Sequence, residues 1–136
     1  MSLYATAKNS NIEDIIFSMT DQINHGKQYI QPELMLDFAN LNEMASSKAV
    51  DSCDYVTARA YLKIALSLLP KDHWKSCYDQ SRRMFFSLAK SAYACGQMEK
   101  AQEVLQEILE ETRRLEDKLQ AYYLLATSEY HHCCLI

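Results

Sequence analysis

The stretch CDYVTARAYLKIALSLLP, residues 53–70, decides the fold. Tyr55, Ala58, Tyr61, Leu62, Ala65, Leu66 and Leu69 recur at three- and four-residue steps, which puts them on one broad helical face, and Pro70 ends the run. Part of the pattern returns 43 residues later: Asp54-Tyr55, Ala58, Leu62 and Ala65-Leu66 are answered by Met98, Ala101, Leu105 and Ile108-Leu109, following Gly96. Small residues at fixed positions let paired helices approach closely, and larger ones fill the gap to the next pair. Such units bury their faces only against neighbours, so the repeat predicts stacked helical hairpins.

Outward from this stretch, helical spacing continues in both directions. Toward the N-terminus, Ser10 or Asn11 can cap a first helix carrying Ile12, Ile15, Ile16, Met19 and Ile23, with Gly26 as a left-handed stop. Pro32 suits the first turn of a second helix, with Leu34, Leu36, Phe38, Leu41, Met44, Ala45 and Ala49 running to about Asp51. Beyond Pro70, Lys71 to Lys75 read as a loop. A fourth helix follows from about Ser76 to Cys95 on Tyr78, Met84, Phe85, Leu88, Ala89, Ala92 and Tyr93, closed by Gly96. A fifth spans about Met98 to Thr112, and a sixth starts near Leu115. The expectation is an all-α chain of about six antiparallel helices forming an α-solenoid, with a disordered segment at 1–11, a helical repeat domain at 12–131 and a tail at 132–136.

Composition agrees with helix. Two glycines and two prolines in 136 residues are too few for the turns of an all-β chain, while 49% hydrophobic residues suffice for a core. A net charge of -4 gives no electrostatic reason for nucleic acid or an anionic membrane, which leaves proteins as expected partners. No run approaches the apolar length of a membrane span, and the first residues lack the features of a secretory leader. Five cysteines, Cys53, Cys77, Cys95, Cys133 and Cys134, fit a reducing compartment, and a cytoplasmic location is expected.

These residues resemble the tetratricopeptide family. Phe85, Leu88 and Ala89 fall on its first-helix positions, and Gly96, Met98, Ala101, Leu105 and Ile108 on its turn and second helix. The preceding unit supplies Tyr55, Ala58, Leu62, Ala65 and Pro70, with Cys53 where glycine is usual and Asn42 where an aromatic is expected. A narrower resemblance covers residues 12 to 130. Asp21-Gln22-Ile23-Asn24, Ala60-Tyr61-Leu62, Leu68-Leu69-Pro70, Asp72-His73-Trp74, Tyr78 and the stretch Leu88 to Gly96 are similar to the helical segment of large multidomain sensor kinases. There the segment follows a kinase-like domain and a STAND-type ATPase module. The resemblance implies a signalling fragment or relic with a role in transmitting or gating signals.

Chemistry is sparse. Phosphate-handling enzymes need a glycine-rich loop and placed carboxylates, yet Gly26 and Gly96 stand singly at helix ends, so no enzyme and no cofactor is expected. His131, His132, Cys133 and Cys134 are metal-ligand types, and the alternative reading is a metal- or redox-responsive helical protein using them. Adjacent ligands make poor geometry, so no metal site is assigned. Cys133 also begins a weak prenylation box. Glu99, Glu103, Glu107 and Glu111 stripe one face of the fifth helix, either as a solvated surface or as a docking strip for a basic partner. Trp74 is expected to be a packing anchor.

In tetratricopeptide hairpins the first helices line a concave groove. At the aligned positions that face takes Arg83, Phe86, Lys90 and Tyr93, joined by Tyr123 and Thr127, a mixed cationic and aromatic set able to hold a peptide. The family's carboxylate clamp is not matched. The leading expectation is therefore a non-catalytic interaction or scaffolding module that binds a protein or peptide segment. A homodimer through the open C-terminal repeat end is a further expected partner.

Overall fold

A computed structural model describes the backbone of residues 2–134 and the side chains of residues 12–127. All regular structure among the described residues is helical: α1 (Ser2–His25), α2 (Met35–Asp51), α3 (Tyr55–Ser67), α4 (His73–Ser76), α5 (Tyr78–Ala94), α6 (Met98–Glu111) and α7 (Leu115–Cys134), with short 3-10 turns at Lys27–Tyr29 and Pro32–Leu34. That is seven helices where about six were expected. The addition is α4, a single turn that begins within the expected loop Lys71 to Lys75 and ends at Ser76. The first helix also takes in residues 2–11, ahead of the cap expected at Ser10 or Asn11, and α7 continues past residue 131 to Cys134. The chain divides into two compact units, Met1–Leu69 and Pro70–Ile136.

Each unit is built on one hairpin, and the two hairpins turn in the same way. At the end of α2, the Cys53 N–H donates to the Val50 carbonyl at 2.8 Å and the Asp54 N–H reaches back to Ala49 at 2.9 Å. At the end of α5, the Gly96 N–H donates to Tyr93 at 3.0 Å and the Gln97 N–H to Ala92 at 2.9 Å. This is the Schellman pattern, which satisfies the last helical carbonyls and needs a left-handed residue at its apex. Gly96 takes φ 75° there and Cys53 takes φ 58°. Gly26, expected to be left-handed, instead has φ -100° and leads into the first 3-10 turn.

The second helices match as well. Ala58, Tyr61, Leu62 and Ala65 of α3 are buried, as are Ala101, Val104, Leu105 and Ile108 of α6, the same i, i+3, i+4, i+7 face in both. Asp54 caps α3 by accepting from the Thr57 N–H at 3.1 Å and the Thr57 hydroxyl at 2.6 Å. Those bonds, the hydroxyl's first, hold its carboxyl below the usual range.

At one equivalent buried position the first helices carry opposite chemistry, Asn42 in α2 and Phe85 in α5. Asn42, 0% exposed, exchanges two amide hydrogen bonds with Asn24 of α1 at 2.8 and 3.0 Å and donates a third to the Phe38 carbonyl at 2.9 Å. A buried amide is tolerated only when paired in this way. Three residues before Asn24, Asp21 accepts from the Tyr61 hydroxyl at 2.7 Å, and the Tyr61 ring stacks on Phe17 at 5.7 Å. Phe85, by contrast, is met by rings: Trp74 at 5.0 Å and His73 at 5.7 Å. His73 Nδ1 donates to the Ser81 hydroxyl at 2.8 Å, which in turn donates to the His73 carbonyl at 3.1 Å. Trp74 is a buried anchor at 8% exposure, and its indole N–H has no acceptor among the described residues.

Two outcomes follow from these contacts. A left-handed non-glycine residue costs about 1–2 kcal/mol. Cys53→Gly should therefore raise stability by about 1 kcal/mol in urea titrations, while Gly96→Ala, whose added Cβ meets nothing within 4 Å, should lower it by a similar amount through φ alone. No gain from Cys53→Gly would remove the strain argument. Burial first, then hydrogen bonding to Asp21 and its charge, push the Tyr61 phenol well above its usual range. That stabilisation is complete below the ordinary phenol value of about 10 and is lost as pH rises toward the raised one. Tyr61→Phe should cost about 1 kcal/mol at neutral pH and flatten the alkaline decline in stability. An unchanged decline above about pH 10 would show that other groups cause it.

Candidate functional site

In the second unit, Tyr78 ties the start of α7 to α5. Its hydroxyl donates to Asp117 Oδ2 at 2.8 Å and accepts from the Arg113 N–H at 3.1 Å. Two guanidinium groups lie against its ring, Arg113 at 5.2 Å and Arg114 at 5.1 Å from the centroid. Arg114 continues to Asp79 at 3.2 Å, and Arg82 lies 3.6 Å from Asp117. Asp117 also stands in the first turn of α7, where a carboxylate complements the helix dipole. This network holds the start of α7 in place.

Further along, the three helices leave a cavity of about 90 Å³, lined by Ala89, Lys90 and Tyr93 of α5, Ala101 and Leu105 of α6, and Leu124 and Thr127 of α7. The space arises because alanines occupy the α5–α6 crossing while Leu124, opposite them, does not fill what they leave. It is smaller than the apolar cavity of about 150 Å³ that takes benzene, and fits one branched aliphatic side chain. Lys90 at its edge is exposed and forms no ion pair among the described residues. Thr127 donates its hydroxyl to the Tyr123 carbonyl at 2.8 Å.

Of the six residues expected to line a peptide groove, Lys90, Tyr93 and Thr127 meet at this cavity. Arg83 and Tyr123 are exposed but lie outside the lining, and Phe86 is buried at 4% exposure, its ring committed to packing. Ala89, Ala101, Leu105 and Leu124 complete the cavity. The sequence marks Ala89, Ala101 and Leu105 only as packing positions and does not mark Leu124 as one, and the usable signal is the pair of small residues on the two helices of the hairpin.

Other features carry less. Glu99, Glu103, Glu107 and Glu111 are all exposed, and Lys100 lies 3.4 Å from Glu103. Glu107 and Glu111 border a shallow cleft with Lys71, Lys75 and Trp74, so that surface carries both signs of charge. In the first unit a second open cleft lies along Asp21, Asn24, His25, Thr57 and Tyr61. Cys53 is exposed, Cys77 and Cys95 are half-buried, and all three are free thiols. Among the described residues no three His, Cys, Asp or Glu side chains gather as a metal site. His131, His132, Cys133 and Cys134 lie outside the described side chains. No helix among the described residues is long and apolar enough to cross a membrane.

The arrangement defines a class of all-helical protein made of two hairpin-based units. Comparison with family models, curated proteins and solved structures found no match.

Proposed function

We propose that this chain is a non-catalytic protein–protein interaction module, an α-solenoid of tetratricopeptide type related to the helical segment of multidomain signalling kinases, and that it holds a peptide at the α5–α7 face. The observation that carries this reading is the cavity shared by Lys90, Tyr93 and Thr127. The identical hairpin turns at Cys53 and Gly96 support the repeat on which the family resemblance rests. An aliphatic side chain would fill the cavity, the half-buried Tyr93 ring would cover it, and the Lys90 ammonium would meet an acidic group beside it. Such a ligand is a peptide with a leucine or valine next to an aspartate or glutamate. Binding would work by surface complementarity, with one buried anchor supplying most of the energy.

The test is a nuclear magnetic resonance titration with short peptides that pair leucine or valine with an acidic neighbour. Shifts should concentrate at Lys90, Tyr93, Leu124 and Thr127, and Lys90→Glu should weaken binding about tenfold, or roughly 1.4 kcal/mol. Shifts centred on another face, or affinity indifferent to Lys90→Glu, would contradict the reading.

A further inference from the structure

Among the described residues, the most exposed apolar surface of the second unit is the outer side of α7. Leu115, Leu119, Tyr122 and Tyr123 are 67%, 57%, 58% and 70% exposed. They recur at i, i+4, i+7 and i+8 and so share one face, while Asp117 and Ala121, on the opposite side of the same helix, are buried at 6% and 0%. A helix apolar on both sides belongs between two partners, and α6 occupies only the inner one.

We propose that the outer face of α7 pairs with the same face of a second copy of this chain, forming a closed two-fold dimer. Area favours this occupant. At about 200 Å² for each fully exposed large side chain, the four residues present roughly 500 Å². Two copies would then bury about 1,000 Å², the lower bound for a specific interface. The composition suits self-apposition as well. None of the four is charged, so pairing buries no charge, and the nearest flanking charges, Glu116 and Lys118, are of opposite sign. Two tyrosines supply anchors of the kind that dominate interface energies. The contact is isologous and closes at two copies. It goes beyond the peptide-binding reading: of the two α7 residues at the cavity, Leu124 lies on the other side of the helix, and Thr127, one turn after Tyr123, borders the proposed face.

The test is sedimentation equilibrium of the intact chain in reducing buffer from about 1 to 300 µM, a range that spans the weak affinities such an area supports. The mass should rise from 15.7 kDa to twice that value and stop. Leu119→Lys with Tyr122→Lys should hold the chain monomeric with unchanged helical circular dichroism. The milder Leu119→Gln should raise the dissociation constant about tenfold. Val56→Lys, at an exposed apolar position on α3, and Lys90→Glu should leave the dimer intact. A monomer at every concentration, or an α7 variant that dimerises like the parent, would overturn the proposal. Growth past two copies would also overturn it, and would indicate a head-to-tail contact with the exposed Ile12, Ile15 and Met19 stripe of α1.

Discussion

Close approach of the two helices within each hairpin is the constraint on which the rest depends. In the first hairpin, Ala39, Ala45 and Ala49 of α2 and Ala58 and Ala65 of α3 are all buried. In the second, Ala89 and Ala92 of α5 and Ala101 of α6 are buried likewise. Alanine costs no side-chain entropy and is the best helix former, so these seams favour both the helices and their contact. Close backbones also demand a tight turn, which is why the same Schellman bonds recur in both hairpins and why Cys53 accepts a conformation that glycine would adopt more readily. The cavity has the same origin, since alanines that allow close approach leave space where a third helix meets them.

Each hairpin also needs its first helix covered, and the two units do this with opposite chemistry. The paired Asn24 and Asn42 amides tie α1 to α2 by geometry, because any slip in register leaves two amide groups short of partners. The Phe85 cluster instead works by area and ring contact, drawing the single turn of α4 onto α5. Tyr78 then secures α7 through its hydroxyl and its ring, which meet Asp117, Arg113 and Arg114. The hydroxyl bonds are directional, so they fix position more tightly than apolar contact would.

Much of the helical layout was legible from residues 53–70 and their echo after Gly96, because a face of small and large residues at helical spacing leaves few alternatives. The misses have particular causes. The left-handed site at Cys53 carries no glycine to announce it, whereas Gly26 announces one that the chain does not use. The single turn α4 is too short to show a period. The Asn24–Asn42 and Tyr78–Asp117 bonds join residues 18 and 39 apart in sequence, beyond what local pattern encodes. The aligned repeat positions place Phe86 in a groove, whereas α5 is buried over more than one face, Phe85 and Phe86 alike, and periodicity cannot separate a covered flank from an open one. Lys90, Tyr93 and Thr127 were legible as neighbours only through the aligned repeat positions. The cavity between them is also lined by Leu124, whose inward placement no periodicity in the sixth helix marks.

Native-state hydrogen exchange, followed residue by residue in dilute and concentrated solution, tests most directly whether alanine-seamed hairpins are the stable cores and the outer side of α7 is surplus. The slowest amides should lie in α2–α3 and α5–α6, with α7 from Leu119 to Thr127 exchanging sooner in dilute solution and slowing as concentration rises. If α7 is as protected as the hairpins in dilute solution, or if amides along the alanine seams exchange first, the account is wrong.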